Sequence, residues 1–216
     1  MVYECDFAEV IHINTENLPT LYSFRRCPYA MRARMALRYS QISSNLIEVS
    51  LKDKPQKMVQ LSPKATVPVL HLLDGTVIEE SREIMLWALS NHDPDNWYFA
   101  YDKRQRRKIN NLINHNDENF KPLLDRYKYA DRYPDYSQDE YRNAAERFIK
   151  QLQRLLGQHQ YLMANNITIA DIAIFPFIRQ FVSVDKQWFD ESDYSNVKLW
   201  LNGLIESDLY QKIMIK

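Results

Sequence analysis

Ser23-Phe24-Arg25-Arg26-Cys27-Pro28-Tyr29-Ala30 carries a cysteine from the end of a β-rich run directly into a proline and a helical pattern. Upstream, 20–24 (TLYSF) predicts a short strand. Downstream, 28–40 (PYAMRARMALRYS) predicts a helix with Ala30, Ala33 and Leu37 on one face and Arg34 and Arg38 on another. Proline suits the first helical position, whose N–H has no intrahelical partner, so Cys27 falls at the N-cap. Free backbone N–H groups and the helix dipole favour an anion there, and for cysteine the anion is the thiolate. Arg25 and Arg26 add positive charge. The pattern predicts a reactive Cys27 with its pKa drawn below the usual value of roughly 8.5. The alternative is a small core residue, since free cysteines are often buried. Ala30 stands where a second cysteine would complete a dithiol pair, so the chemistry expected is monothiol.

Beyond the helix, 46–50 (LIEVS) predicts a second strand and closes a βαβ unit. The segments 68–73 (PVLHLL) and 76–80 (TVIEE) flank Asp74-Gly75, a pair suited to the positive φ angles of a tight hairpin. Helical spacing resumes over 82–91 (REIMLWALSN), with Ser81 as its N-cap. The order βαβ then ββα matches a thioredoxin-like α/β domain. After 93–97 (DPDNW) the strand signals largely stop and long helical patterns take over. Ser137 and Glu140 form a capping-box pattern before a helix over 138–156 that Gly157 is placed to end. Thr168 and Asp171 form another, with Ile167 and Ile172 as its staple, before the apolar run Ile169 to Phe177, which should be buried. The expected organisation is an N-terminal extension 1–18, a thioredoxin-like domain 19–92, a linker 93–101 and an all-helical domain 102–216.

With 216 residues and 45% hydrophobic content, the chain can build a sizeable core. Lys plus Arg and Asp plus Glu balance at 28 each, which argues against nucleic acid or an anionic membrane as partner. No apolar run is long enough for a membrane span, and the acidic start MVYECDFAEV lacks the basic residues of a signal peptide; the expected location is cytoplasmic. Two cysteines, Cys5 and Cys27, are too few for a disulfide scaffold, and Cys5 reads as incidental unless the N-terminal arm folds back to resolve a disulfide. The three glycines, Gly75, Gly157 and Gly203, exclude a glycine-rich phosphate loop. His12, His71, His92, His115 and His159 are scattered without ligand spacing, so no metal is expected.

Taken together, Cys27-Pro28-Tyr29-Ala30, Leu51-Lys52-Asp53-Lys54-Pro55, Thr66-Val67-Pro68-Val69-Leu70, Glu79-Glu80-Ser81 and the Thr168–Asp171 capping box resemble the glutathione S-transferase superfamily, and within it the omega class and its bacterial relatives. The resemblance implies glutathione as co-substrate and a binding site formed by Tyr29, Lys54, Val67, Pro68, Glu80 and Ser81. Val67-Pro68 looks like the family's cis-proline turn, which pairs the Val67 backbone with the cysteinyl part of glutathione as an added strand. Ser81 and the free N–H groups beside it would hold the γ-glutamyl carboxylate, Glu80 the α-amino group, and Lys54 the glycyl carboxylate. Solvated side chains and a simple N-cap are the alternatives for these three.

The resemblance also implies a second-substrate pocket between the domains, with Tyr127, Tyr129, Arg179 and Trp188 as candidates; for aromatic residues at helical spacing the alternative is core packing. Cysteine-type members form mixed disulfides with glutathione, whereas several classes activate it with tyrosine or serine. Cys27 is therefore the expected catalytic residue of a thiol transferase or reductase, with Ser23 a weaker candidate hydroxyl. The competing functions are conjugation of glutathione to electrophiles and a non-catalytic interaction module. A homodimer is the form the family usually takes.

Overall fold

The computed structural model describes residues 17–99 and 102–215. Cys5 and most of the expected N-terminal extension lie outside the described residues, as do 100 and 101 of the expected linker. The N-terminal part runs β1 (Thr20–Ser23), α1 (Pro28–Tyr39), β2 (Asn45–Glu48), α2 (Gln56–Leu61), β3 (Val69–His71), β4 (Val77–Ile78) and α3 (Ser81–Asn91). The sheet order is β2-β1-β3-β4, with β1 parallel to β2 and antiparallel to β3. This is the thioredoxin-like arrangement expected, with shorter strands than the apolar runs suggest. The short helix α2 fills part of the polar stretch after β2 and carries Met58 into a small cluster with Tyr22, Val49 and Val69 on one side of the sheet.

At the β3–β4 turn only Gly75 takes a positive φ, of 89°; Asp74 instead accepts the Thr76 N–H on its side chain. The expectation of two such residues is corrected accordingly, and the turn closes through Leu72 N–H to Thr76 O. Ser81 is the first residue of α3 and not its cap, since Glu80 occupies the N-cap position without a side-chain capping bond.

The rest is helical: α4 (Lys103–Asn114), a π-helical turn (His115–Phe120), α5 (Lys121–Lys128), a 3-10 turn (Ala130–Arg132), α6 (Gln138–Leu156), α7 (Ile169–Val182), α8 (Lys186–Glu191), α9 (Ser195–Glu206) and α10 (Asp208–Met214). Among the described residues no helix is long and apolar enough to cross a membrane. The Ser137–Glu140 and Thr168–Asp171 capping boxes both form, and every residue from Ile169 to Ile178 is buried. Asp171 is fully buried and accepts from Leu162 N–H (2.9 Å), Thr168 N–H (2.9 Å) and hydroxyl (2.8 Å), and Trp200 Nε1 (2.9 Å). One carboxylate thus ties the start of α7 to the preceding loop and to α9.

The helical part packs on the sheet part through α1, which touches α3, α7 and α10. Enclosed by these helices and the sheet, α1 is buried from Ala30 to Leu37, including Arg32 and Arg34. The segment after α3 is fastened too: the Tyr39 ring stacks on Trp97 at 3.4 Å, the Tyr39 hydroxyl donates to Asp93, and Asp93 accepts the Trp97 N–H.

Candidate functional site

Cys27 sits where β1 ends and α1 begins, at the N-cap with extended backbone angles and Pro28 first in the helix. The residue is partly exposed there. The thiol donates to the Val67 carbonyl at 3.8 Å. Val67 precedes a cis proline and lies outside the ladder, since β3 starts at Val69, and its carbonyl faces the sulfur.

The charge state differs from the sequence expectation. Burial pushes the Cys27 thiol up from its ordinary value, outweighing the N–H groups of Ala30 and Tyr29 and the positive charges of Lys121 and Arg32, which pull it down. The helix terminus contributes as expected. The helping cations are not Arg25 and Arg26, however, but two residues brought in from along α1 and from α5. The shift favours the protonated sulfur, which is held against the Val67 carbonyl.

Arg32 organises the rest of the site. Its Nε donates to the Ser81 hydroxyl oxygen at 3.0 Å, and its two terminal nitrogens donate to the two Asp117 oxygens at 2.9 Å each. Its guanidinium also lies 5.1 Å from the Tyr29 ring centre and 5.3 Å from that of Phe177. Tyr29 and Phe177 meet edge to face at 5.0 Å. A single buried cation therefore joins α1, α3, the π-helical turn and α7. The π-helical turn, a rare geometry that often marks functional positions, is what carries Asp117, held further by Asn116 Nδ2 at 2.8 Å. Lys121 stands over the Tyr29 ring at 5.9 Å and pairs with Asp125. Burial, with Asp117 adding to it, pushes the Tyr29 hydroxyl up to about 12, so it stays a neutral phenol across the physiological range.

The structure brings Cys27, Val67, Pro68, Tyr29 and Ser81 to one region. Ser81 is buried, its oxygen occupied by Arg32 and its proton free to donate. Glu80 faces outward and pairs with Lys64 at 2.9 Å. Lys54 is exposed on the loop before α2. Ser23 is fully buried at the end of β1 and Tyr22 lies in the sheet core, so neither presents a hydroxyl to the opening.

The second-substrate candidates divide. Tyr127 is in the core, 1% exposed, its ring 5.2 Å from Phe181; it does not line an opening. Trp188 packs among Phe181, Phe189 and Tyr194 under the Arg142 guanidinium, all within the helical part. Tyr129 lies at the end of α5 beneath Lys128 and Arg132. Arg179 lines a cavity, together with Arg26 and Lys128. Tyr127 shows the core-packing alternative, on a helix that packs against α6 and α7, and Trp188 is half-buried against the same aromatic cluster.

Sequence reading missed Arg32, Asp117 and Lys121. The available signal was the pair Arg32 and Arg34, two charges set among Ala30, Met31, Ala33, Met35, Ala36 and Leu37. Among the described residues no group of His, Cys, Asp or Glu is arranged to hold a metal ion.

Residues 21–96 match the family model described as the glutathione S-transferase N-terminal domain, and residues 135–203 the one described as its C-terminal domain. The chain is 24% identical over 209 residues to "Glutathione S-transferase omega-1" of Sus scrofa, covering 93% of this chain and 82% of that protein. It is 36% identical over 91 residues to "Probable glutathione transferase" of Aplysia californica, covering 42% of this chain and 97% of the other. In structure it resembles a glutathione transferase family member from Pseudomonas fluorescens pf-5 with two glutathione bound, at a TM-score of 0.79 and 18% identity over 93% of this chain and 94% of that one.

Proposed function

The chain belongs to the glutathione S-transferase family, with omega-class relatives, and on that premise we propose that it is a glutathione-dependent thiol transferase or reductase acting through Cys27. The observation that carries the reading is the placement of a partly exposed cysteine at the open N-terminus of α1, its thiol against the Val67 carbonyl. No second cysteine stands in the motif, and the nearby hydroxyls of Tyr22 and Ser23 are buried.

In this mechanism the glutathionyl group binds along Val67-Pro68, its cysteinyl N–H taking the Val67 carbonyl that the resting thiol now uses. Binding thus competes with the bond that favours the protonated sulfur. The γ-glutamyl carboxylate accepts from the Ser81 hydroxyl and the first N–H groups of α3, with Arg32 fixing the Ser81 oxygen from behind. Glu80 exchanges Lys64 for the α-amino group, Lys54 meets the glycyl carboxylate, and Tyr29 packs at the thiol end of the site.

Cys27 loses its proton to solvent, and the thiolate, held by the Tyr29 and Ala30 N–H groups, attacks the glutathionyl sulfur of a mixed disulfide GS–SR. The Cys27–SG bond forms, the S–SR bond breaks, and RS⁻ leaves to take up a proton. A second glutathione, as thiolate, attacks the sulfur of the glutathione bound to Cys27, giving oxidised glutathione and restoring the Cys27 thiolate.

Conjugation of glutathione to an electrophile is the second reading, and the upward push on the Cys27 thiol is the observation in its favour. Cys27→Ser separates them: reduction of a glutathionylated disulfide should fall to the background rate, whereas a conjugating enzyme would keep its activity. Unchanged disulfide turnover in that variant overturns the proposal. The proposal includes the two-domain division near residues 93–101, a cytoplasmic location and a homodimer, the last checked by a light-scattering mass against the 25.8 kDa of one chain.

A further inference from the structure

A cavity of about 450 Å³ opens between the two parts of the molecule, with Arg26, Lys128 and Arg179 in its wall beside Gln138, Gln180 and Ser183. Its size suits a small organic molecule. Its location ties it to the thiol: Arg26 directly precedes Cys27, and Arg179 Nη2 reaches the sulfur of Met31, whose N–H donates to the Cys27 carbonyl. Its wall therefore includes the residue next to Cys27 in the chain and, from α7, an arginine in contact with the first turns of α1.

The charges in this wall are unbalanced. Arg26 rests over the Phe24 ring at 5.8 Å, Lys128 over the Tyr129 ring at 4.8 Å, and Arg179 over the Tyr210 ring at 6.0 Å. Arg179 spends a donor on a thioether, a weak acceptor, at 3.9 Å, and its Nε is buried with no hydrogen-bond partner. None of the three forms an ion pair with a carboxylate among the described residues, and no acidic side chain lines the cavity. Elsewhere near the thiol the opposite holds: Arg32 is neutralised by Asp117 and Lys121 by Asp125. In a chain of zero formal net charge, three cations left unpaired around one recess are a local feature of this wall. Two guanidinium groups and an ammonium, with the Gln180 amide and the second N–H of the Gln138 amide beside them, supply donors for a carboxylate, while the Ser183 hydroxyl is spent on the Arg179 carbonyl.

We infer that this cavity is the second-substrate subsite and that it selects organic anions, so the favoured substrate is a glutathione mixed disulfide whose leaving thiol carries a carboxylate. The inference rests on the thiol-transferase reading for the reaction, while the recognition itself is a binding property. In the exchange, Cys27 takes the glutathionyl group and the carboxylate-bearing thiolate departs from a wall that offsets its charge. An electrophile that is neutral and apolar gains little from these residues.

The test uses non-reacting thioethers of glutathione, so that binding is read without turnover: S-(2-carboxyethyl)glutathione, S-(2-hydroxyethyl)glutathione and S-(2-aminoethyl)glutathione, titrated by calorimetry. The expected order of affinity is carboxyethyl, hydroxyethyl, aminoethyl, with the carboxyethyl compound at least tenfold tighter than the hydroxyethyl one at low salt and the ratio shrinking as salt rises. In Arg179→Gln, and independently in Lys128→Gln at the more accessible end of the wall, that ratio should fall to within about threefold of unity. The second variant guards against misfolding of the first. Equal affinity for the three thioethers, a preference that survives both substitutions, or no binding of any of the three overturns the inference. The matching mixed disulfides are then assayed: turnover of all three without preference removes the anion selectivity and leaves the thiol-transferase reading standing. Preferential thioether binding with no disulfide turnover does the reverse.

Discussion

The molecule contains two helix starts built from similar materials and put to opposite uses. At α7, Thr168 and Asp171 close the terminus with a reciprocal capping box, and the buried carboxylate accepts four hydrogen bonds. At α1, Cys27 caps with no side-chain bond to the helix, proline removes one N–H, and the thiol turns outward to the Val67 carbonyl. A satisfied terminus fixes structure, whereas an open one keeps its N–H groups available for a charge that develops during reaction. Electrostatics separate them further. Burial pushes both the Asp171 carboxyl and the Cys27 thiol up, but Asp171 is surrounded by four donors while Cys27 has weaker help from two N–H groups and two already paired cations.

Breaking the closed terminus should have the largest effect on stability. Asp171→Ala leaves Leu162 N–H, Thr168 N–H and Trp200 Nε1 buried without an acceptor and is expected to cost about 3–5 kcal/mol in urea unfolding. A loss below about 1 kcal/mol would mean the network is not what holds α7. Next comes Asp117→Asn, which removes the counter-charge of Arg32, whose side chain is 3% exposed. Since Asp117 itself is 23% exposed, water offsets part of the loss, and about 1–3 kcal/mol is expected, with weakened glutathione binding as Ser81 loses its fixed partner.

Ser81→Ala removes a donor to glutathione and also the buried acceptor of Arg32 Nε: glutathione affinity should fall about five- to tenfold, or roughly 1–1.4 kcal/mol, and stability by about 1 kcal/mol in urea unfolding. Lys54→Ala is expected to do least, about twofold or under in affinity, because an exposed ammonium on a loop contributes little through water. A Lys54 effect exceeding that of Ser81 would reverse the ranking of the buried and exposed ends of the glutathione site.

What the sequence disclosed follows the same division between local and long-range causes. Both capping boxes, the Cys27-Pro28 helix start and the order of strands and helices are written in residues within a few positions of each other, and all of these form. The Asp74-Gly75 turn and the start of α3 are legible to within one residue: Gly75 alone takes the positive φ, and Glu80 holds the N-cap position one residue before Ser81. Arg32 was invisible to periodicity because α1 is buried on almost every side, by α3, α7, α10 and the sheet, so no face of it follows a simple amphipathic rule. Its partner Asp117 lies 85 residues away on a π-helical turn, which local pattern does not announce. The same holds for Tyr127 and Trp188, whose aromatic character was read correctly but whose direction is set by Phe181 and its neighbours. The charge state of Cys27 was misjudged for a related reason: the cap and its dipole are local, while the desolvation that outweighs them comes from the assembled fold.

The most direct test of the account is mass spectrometry of the protein incubated with oxidised glutathione over a range of pH. The expected result is one glutathionyl adduct, on Cys27 and not on Cys5. Because burial raises the thiol, little thiolate is present at neutral pH, so the rate should climb as pH rises through and beyond the ordinary cysteine range near 8.5. An adduct confined to Cys5, or no adduct on Cys27 at any pH at which the protein stays folded, would contradict the claim that the open terminus of α1 exists for thiol chemistry.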